Sequence, residues 1–427
     1  MTCWLCAQPH QVDVAQDQRG HTLKVDDTKM MVNGVNWDYY PIGTNYDYVL
    51  WDQSDDIIKA SLQGDMTLLR DMGANAIRVY TGIPPKWIQY IYEEYGIYTM
   101  LNHSFGRYGL MIDENWVART DYADPKTRDI LLNEVKDLAA AYKSTRGLLI
   151  YLLGNENNYG LYWEGGETED FPDEEAEQSA IGEQLARPMY DLMNRAVIAI
   201  KEVENDHPVA ICNGDNLFLD IISQECTDVD IYGTNIYRGA SFTDIFSEVK
   251  GALDIPILFT EFGADAYNSK ELKEDQQAQA DVALHNWKEI YAHAAGLGRS
   301  GISIGGFTFQ FSDGWWKYGQ TTALDLHNNM ASWANGGYAV DYVKGKNNMN
   351  EEWFGICAKA PSENNLLYKA IPRAAYYILQ EVHSFDPYQE EASIQKLERH
   401  FSKIDFHKAM TEAREIKKAN SHSCYKF

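Results

Sequence analysis

Two glutamates stand directly after apolar runs. Leu-Leu-Ile-Tyr-Leu-Leu (148–153) leads into Gly154-Asn155-Glu156-Asn157, and Ile-Leu-Phe-Thr (257–260) leads into Glu261-Phe262-Gly263. A carboxylate at such a place is costly to bury unless it has partners or a task. Either glutamate alone could cap a helix or pair with an arginine. Together they suit cleavage of a glycosidic bond: one carboxyl protonates the departing oxygen, and the other attacks the anomeric carbon or activates water. A separation of about 5–5.5 Å gives retention, and a wider gap gives inversion.

The elements that must position this pair follow from hydrophobic patterning. From residue 30 onward, short apolar runs alternate with amphipathic stretches. The runs at 30–37, 75–80, 97–102, 148–154, 208–212, 229–235, 256–261 and 301–311 read as strands. Alternating β and α segments predict a parallel sheet with helices outside. Eight consecutive units predict a (β/α)8 TIM barrel with loop insertions rather than a doubly wound sheet. Chemistry in such a barrel sits at the carboxyl ends of the strands, and strands four and seven lie on opposing arcs. Gly73 reads as a helix C-cap, while Pro84-Pro85 and Asp124-Pro125 read as helix starts. A small hairpin is expected over 21–31 and a closing helix over 365–382. The barrel domain is drawn as 20–386, with a C-terminal helical extension over 387–427.

The other strand ends supply candidates. Arg78, after strand two, is placed to hydrogen-bond Glu261 and keep it ionised. Asn36 and His103, ending strands one and three, are placed to reach sugar hydroxyls. Sugar faces are apolar, so Trp315 and Trp316 after strand eight are candidate platforms. Trp163, Tyr39 and Tyr40 are weaker ones.

These motifs resemble a known group. The stretch 30–320 resembles the clan of retaining β-glycosidases with a (β/α)8 barrel and glutamates after strands four and seven. Asn155-Glu156 is similar to the clan's Asn-Glu pair, which implies that Glu156 is the acid/base and that Asn155 contacts the sugar 2-hydroxyl. Thr260-Glu261-Phe262-Gly263 is similar to its nucleophile segment, and Tyr237 is implied as a donor to Glu261. Asn75–Tyr80 and Tyr232–Tyr237 look like the fungal β-1,3-glucanosyltransferases. Glu261–Asp265 looks equally like family 2 glycosidase catalytic domains. The fungal enzymes' cysteine-rich pattern is missing. The resemblance implies hydrolysis of β-linked glycans by double displacement, with transglycosylation on a β-glucan as the alternative. A non-catalytic carbohydrate-binding barrel is the alternative of another class. No cofactor is implied.

Composition narrows the partners. Against 37 Lys and Arg stand 63 Asp and Glu, a net charge of −26 in 427 residues. That disfavours nucleic acid and anionic membranes, and favours a neutral carbohydrate over a polyanionic one. No 18-residue apolar run predicts a membrane span, and the N-terminus does not read as a signal peptide. Cys212 and Cys226 are read as buried thiols rather than a disulfide. Cys3 and Cys6 lack a second pair for zinc, and no other metal motif occurs. Gly301-Ile302-Ser303-Ile304-Gly305 matches a nucleophile elbow but continues as strand. The acidic loop 164–177 is read as solvated.

Overall fold

The computed structural model describes residues 8–80, 82–161, 175–331 and 349–423. Trp163, Cys3, Cys6 and positions 164–174 of the acidic loop lie outside them. The chain opens with a three-stranded antiparallel sheet of β1 (Val12–Asp17), β2 (Gly20–Val25) and β3 (Thr28–Met30). The expected hairpin is thus one strand larger. Its apolar residues Val12, Leu23 and Val25 join the cluster that fills the barrel interior, which includes Val32, Met100, Ile150, Leu258 and Phe307.

The barrel follows. Its strands are β4 (Val32–Asn36), β5 (Ala76–Val79), β6 (Tyr98–His103), β9 (Leu148–Leu153), β10 (Val209–Gly214), β11 (Ile231–Asn235), β12 (Ile257–Phe262) and β15 (Ser303–Thr308). They pair in parallel in chain order, and β15 closes on β4. Short hairpins β7–β8 (Leu110–Ile112, Asn115–Val117) and β13–β14 (Tyr267–Asn268, Lys273–Glu274) interrupt the alternation after the third and seventh barrel strands. Helices α1 (Asp55–Asp71), α2 (Pro85–Tyr95), α3 (Pro125–Tyr142), α4 (Glu175–Val203), α5 (Leu219–Glu225), α6 (Ile245–Ala252) and α7 (Gln276–Ala292) run between the strands. Local chemistry sets their ends. Asp124 accepts from Thr127 N at 2.8 Å, and Pro85 occupies the first turn of α2, where a missing N–H costs nothing.

The expected helix over 365–382 is corrected. Its first part is β17 (Tyr368–Pro372), paired with β16 (Cys357–Pro361), and α8 spans only Ala374–His383. Pro372 cannot donate in a helix, and hairpin pairing with β16 across the loop 362–367 overrides the helical pattern. Two tail helices, α9 (Ile394–Phe401) and α10 (Phe406–Ser423), follow, with Leu397 and Phe401 buried. Ser303 begins a barrel strand and is fully buried, with no elbow around it. Cys212, Cys226 and Cys357 are free, buried thiols.

Candidate active site

The end of β9 turns sharply. Gly154 has φ +85°, and a Cβ there would come within 2.6 Å of Asn157 Oδ1, so only glycine fits. Asn157 Oδ1 accepts from Asn155 N at 2.8 Å. Glu156 itself sits at φ +57°, a conformation that a non-glycine residue holds only at some cost. Its N–H donates to Cys212 O at 3.0 Å, tying the turn to β10. Glu156 is half-buried, and its Oε1 accepts from Asn235 Nδ2 at 2.9 Å.

Glu261, 7% exposed, is held by three donors. Arg78 Nη1 lies 2.9 Å from Oε1, Tyr80 OH lies 2.5 Å from the same oxygen, and Tyr237 OH lies 2.9 Å from Oε2. Burial, reinforced by the Glu261 charge, pushes both phenols well above the ordinary tyrosine value. Each therefore stays protonated and donates.

Arg78 is the hub. It is fully buried and also donates to Asn102 Oδ1 (2.7 and 3.1 Å), Asn155 Oδ1 (2.8 Å), Asn235 Oδ1 (3.2 Å) and Thr260 O (3.2 Å). The two glutamates are thus joined through Asn235 and Arg78. Beneath them, burial raises the Cys212 thiol to about 11, so it is neutral at ordinary pH.

The sequence candidates distribute unevenly around this centre. Glu156, Asn155, Arg78, Tyr237 and Glu261 come together. Asn36 adjoins them through hydrogen bonds from its Nδ2 to Tyr80 OH (2.8 Å) and Thr260 O (3.0 Å). His103 does not join. Its Nε2 lies 3.4 Å from Glu134 on α3, and its Nδ1 accepts from Phe105 N, so its side chain faces the helix layer. Asn102, its neighbour, is the inward residue. Trp315 stacks on His327 (5.0 Å between centroids), which stacks in turn on Trp353. Trp316 meets Tyr40 and Tyr46 edge-on, at 5.4 and 5.7 Å. Tyr39 is buried and stacked on Tyr368.

Sequence reasoning missed Tyr80, Asn102, Asn235 and Asp38. Tyr80 and Asn235 end strands that were already identified, so strand-end position was the available signal. Asp38 follows β4 and accepts from Tyr80 N at 3.4 Å. Burial pushes its carboxyl up to about 7.

No family model matches the chain, and no curated protein matches it significantly. Solved structures do match in fold. The barrel is similar to that of GH2 glycosidases. One is the GH2 β-galacturonidase from Eisenbergiella tayi bound to galacturonate, at 15% identity and TM-score 0.52, covering 88% of this chain and 54% of that one. Another is the β-D-glucuronidase of Dictyoglomus thermophilum, at 16% identity and TM-score 0.52, with coverage of 88% and 54%. A third is the β-glucuronidase from Ruminococcus gnavus in complex with D-glucuronic acid, at 12% identity and TM-score 0.53, with coverage of 88% and 52%. The chain spans about half the length of these proteins. At such identities the likeness is one of fold.

Proposed function

We propose that the protein is a retaining glycoside hydrolase that cleaves β-linked glycosides by double displacement. The observation that carries this reading is the placement of Glu261 among Arg78, Tyr80 and Tyr237, across an Arg78–Asn235 bridge from Glu156. A carboxylate held by one cation and two phenols is fixed in direction and balanced in charge, as a nucleophile must be. Glu156 accepts from a neutral amide, which suits a group that gives and retakes a proton.

In the first step Glu261 attacks the anomeric carbon while Glu156 gives its proton to the departing oxygen. In the second, Glu156 takes a proton from water as water displaces Glu261. Asn155, oriented by Arg78, faces the sugar 2-hydroxyl in this reading. The structural neighbours act on sugar acids, whereas the net charge of −26 favours a neutral sugar. A panel of aryl β-glucosides, galactosides, mannosides, glucuronides and galacturonides decides the glycone.

Glu261→Gln should reduce turnover of the best substrate by several orders of magnitude while leaving the circular dichroism spectrum unchanged. Glu156→Ala should lose most on poor leaving groups and recover with azide. Full activity in Glu261→Gln would remove the nucleophile assignment.

A further inference from the structure

We propose that the β7–β8 hairpin and the loop leading into it form the leaving-group subsite, a platform for the pyranose ring that departs toward Glu156. The inference rests on the reading of Glu156 as the acid/base. A general acid must reach the departing oxygen, so the leaving group lies on its side of the cleft.

The residues next to Glu156 on that side are built as a surface. Tyr108 OH accepts from Asn155 Nδ2 at 2.9 Å. The Arg107 guanidinium lies over the Tyr108 ring, 5.4 Å from its centroid, while its Nε donates to Asn155 O at 3.1 Å. The ring is fixed at its hydroxyl and backed by a cation, yet Tyr108 is 44% exposed. The surface continues outward. Met111 and Trp116 face each other across the hairpin and are 53% and 60% exposed, while Leu110, on the other face, is buried. The indole abuts the Tyr108–Gly109 backbone, since a Cβ on Gly109 would lie 2.8 Å from Trp116 Cζ2. Trp116 is the most exposed aromatic residue among those described.

An apolar strip of this kind calls for an occupant. Arg107 ties it to the Asn155 carbonyl, in the peptide bond that carries Glu156, and this nearness to the acid selects the substrate's own leaving group. A pyranose offers an apolar C–H face to the rings and keeps its hydroxyls in water. The same platform would seat an acceptor sugar after the glycosyl-enzyme forms. The acceptor hydroxyl would give its proton to Glu156 and bond to the anomeric carbon as the bond to Glu261 breaks. A seated acceptor competes with water through its high effective concentration.

The test uses the glycone preferred in the aryl glycoside panel, presented as the β-glycosyl fluoride and as a disaccharide with glucose as leaving group. The fluoride places no sugar on the hairpin. In Trp116→Ala the disaccharide-to-fluoride ratio of kcat/KM should fall about tenfold, the scale of one aromatic stacking contact, and Trp116→Phe should restore most of it. Added glucose should also yield less transfer product in the alanine variant. An unchanged ratio overturns the proposal, as does a Trp116→Ala effect confined to a monomer–dimer equilibrium in sedimentation. Calorimetry of the same disaccharide on Glu261→Gln, with and without Trp116→Ala, separates the two readings. A tenfold loss of affinity there supports the platform, and where the parent protein itself turns over no glycoside of the panel it overturns the catalytic assignment instead.

Discussion

Arg78→Met tests whether the buried charge network is a unit. The guanidinium is fully buried, and the Glu261 side chain is 9% exposed. Removing one partner of such a pair leaves the other charge stranded, at a cost of about 3–5 kcal/mol. Methionine fills much of the arginine stem's volume, so cavity formation adds little. Unfolding entropy of about 2.1 cal/mol/K per residue gives roughly 0.9 kcal/mol/K for a chain of this length, so Tm should fall by about 3–6 °C. On a Glu261→Gln background the substitution strands no carboxylate and removes a guanidinium that has already lost its counter-charge. The same substitution then loses mainly hydrogen bonds to Asn102, Asn155 and Asn235, about 1–2 kcal/mol. The cycle should therefore show a coupling of about 2–3 kcal/mol. Denaturant midpoints of the parent, the two single variants and the double variant supply it. Additivity within about 0.5 kcal/mol would refute the reasoning, because it would mean that Glu261 does not depend on Arg78 for its charge balance.

Two further predictions concern a donor and a buried histidine. Tyr80→Phe removes a hydrogen bond to a carboxylate, a contact worth about 1.5–3 kcal/mol, and does so most harmfully when Glu261 departs as an anion from the glycosyl-enzyme. Hydrolysis of the intermediate should slow about tenfold to a hundredfold, visible as a burst of aglycone release, and absence of any burst would make Tyr80 a packing residue. Burial pushes the His383 imidazole down to about 3, so below pH 6.5 the unfolded chain binds the extra proton and stability falls as pH drops toward 3. The loss is about 1.4 kcal/mol per pH unit across that window, and it should vanish in His383→Leu. Asp38 and Glu352, both raised by burial to about 7, act in the opposite direction, so the comparison is parent against variant at each pH.

The barrel was legible because its strands are continuous apolar runs between amphipathic helices, a pattern that few other folds repeat eight times. The same continuity concealed which residue at a strand end points inward. In β6 both faces are buried, so nothing in the composition distinguishes Asn102 from His103. The pleat decides it: Met100 and Asn102 face the barrel interior, where Asn102 meets Arg78, and Leu101 and His103 face the helix layer, where His103 meets Glu134. The β16–β17 pairing was hidden for a different reason. Its partners meet across the short loop 362–367, and a helical pattern over the second strand carries no record of the first. The Tyr108–Trp116 surface was overlooked because a short hairpin inside a loop lacks the length that makes periodicity readable.

These cases share a physical cause that bears on how the site works. Glu156 and Glu261 announce themselves because a glutamate after an apolar run conflicts with its surroundings. Their partners do not, because asparagine and tyrosine at strand ends are unremarkable until a guanidinium lies among them. Arg78 resolves both conflicts by geometry: one nitrogen reaches Glu261, the other reaches Asn155, and Asn235 carries the contact on to Glu156. A change at either carboxylate is therefore felt at the other through two side chains. In the proposed reaction the charge on Glu261 is consumed as Glu156 loses its proton. A shared guanidinium between them keeps one positive charge within reach of whichever carboxylate is ionised at each step.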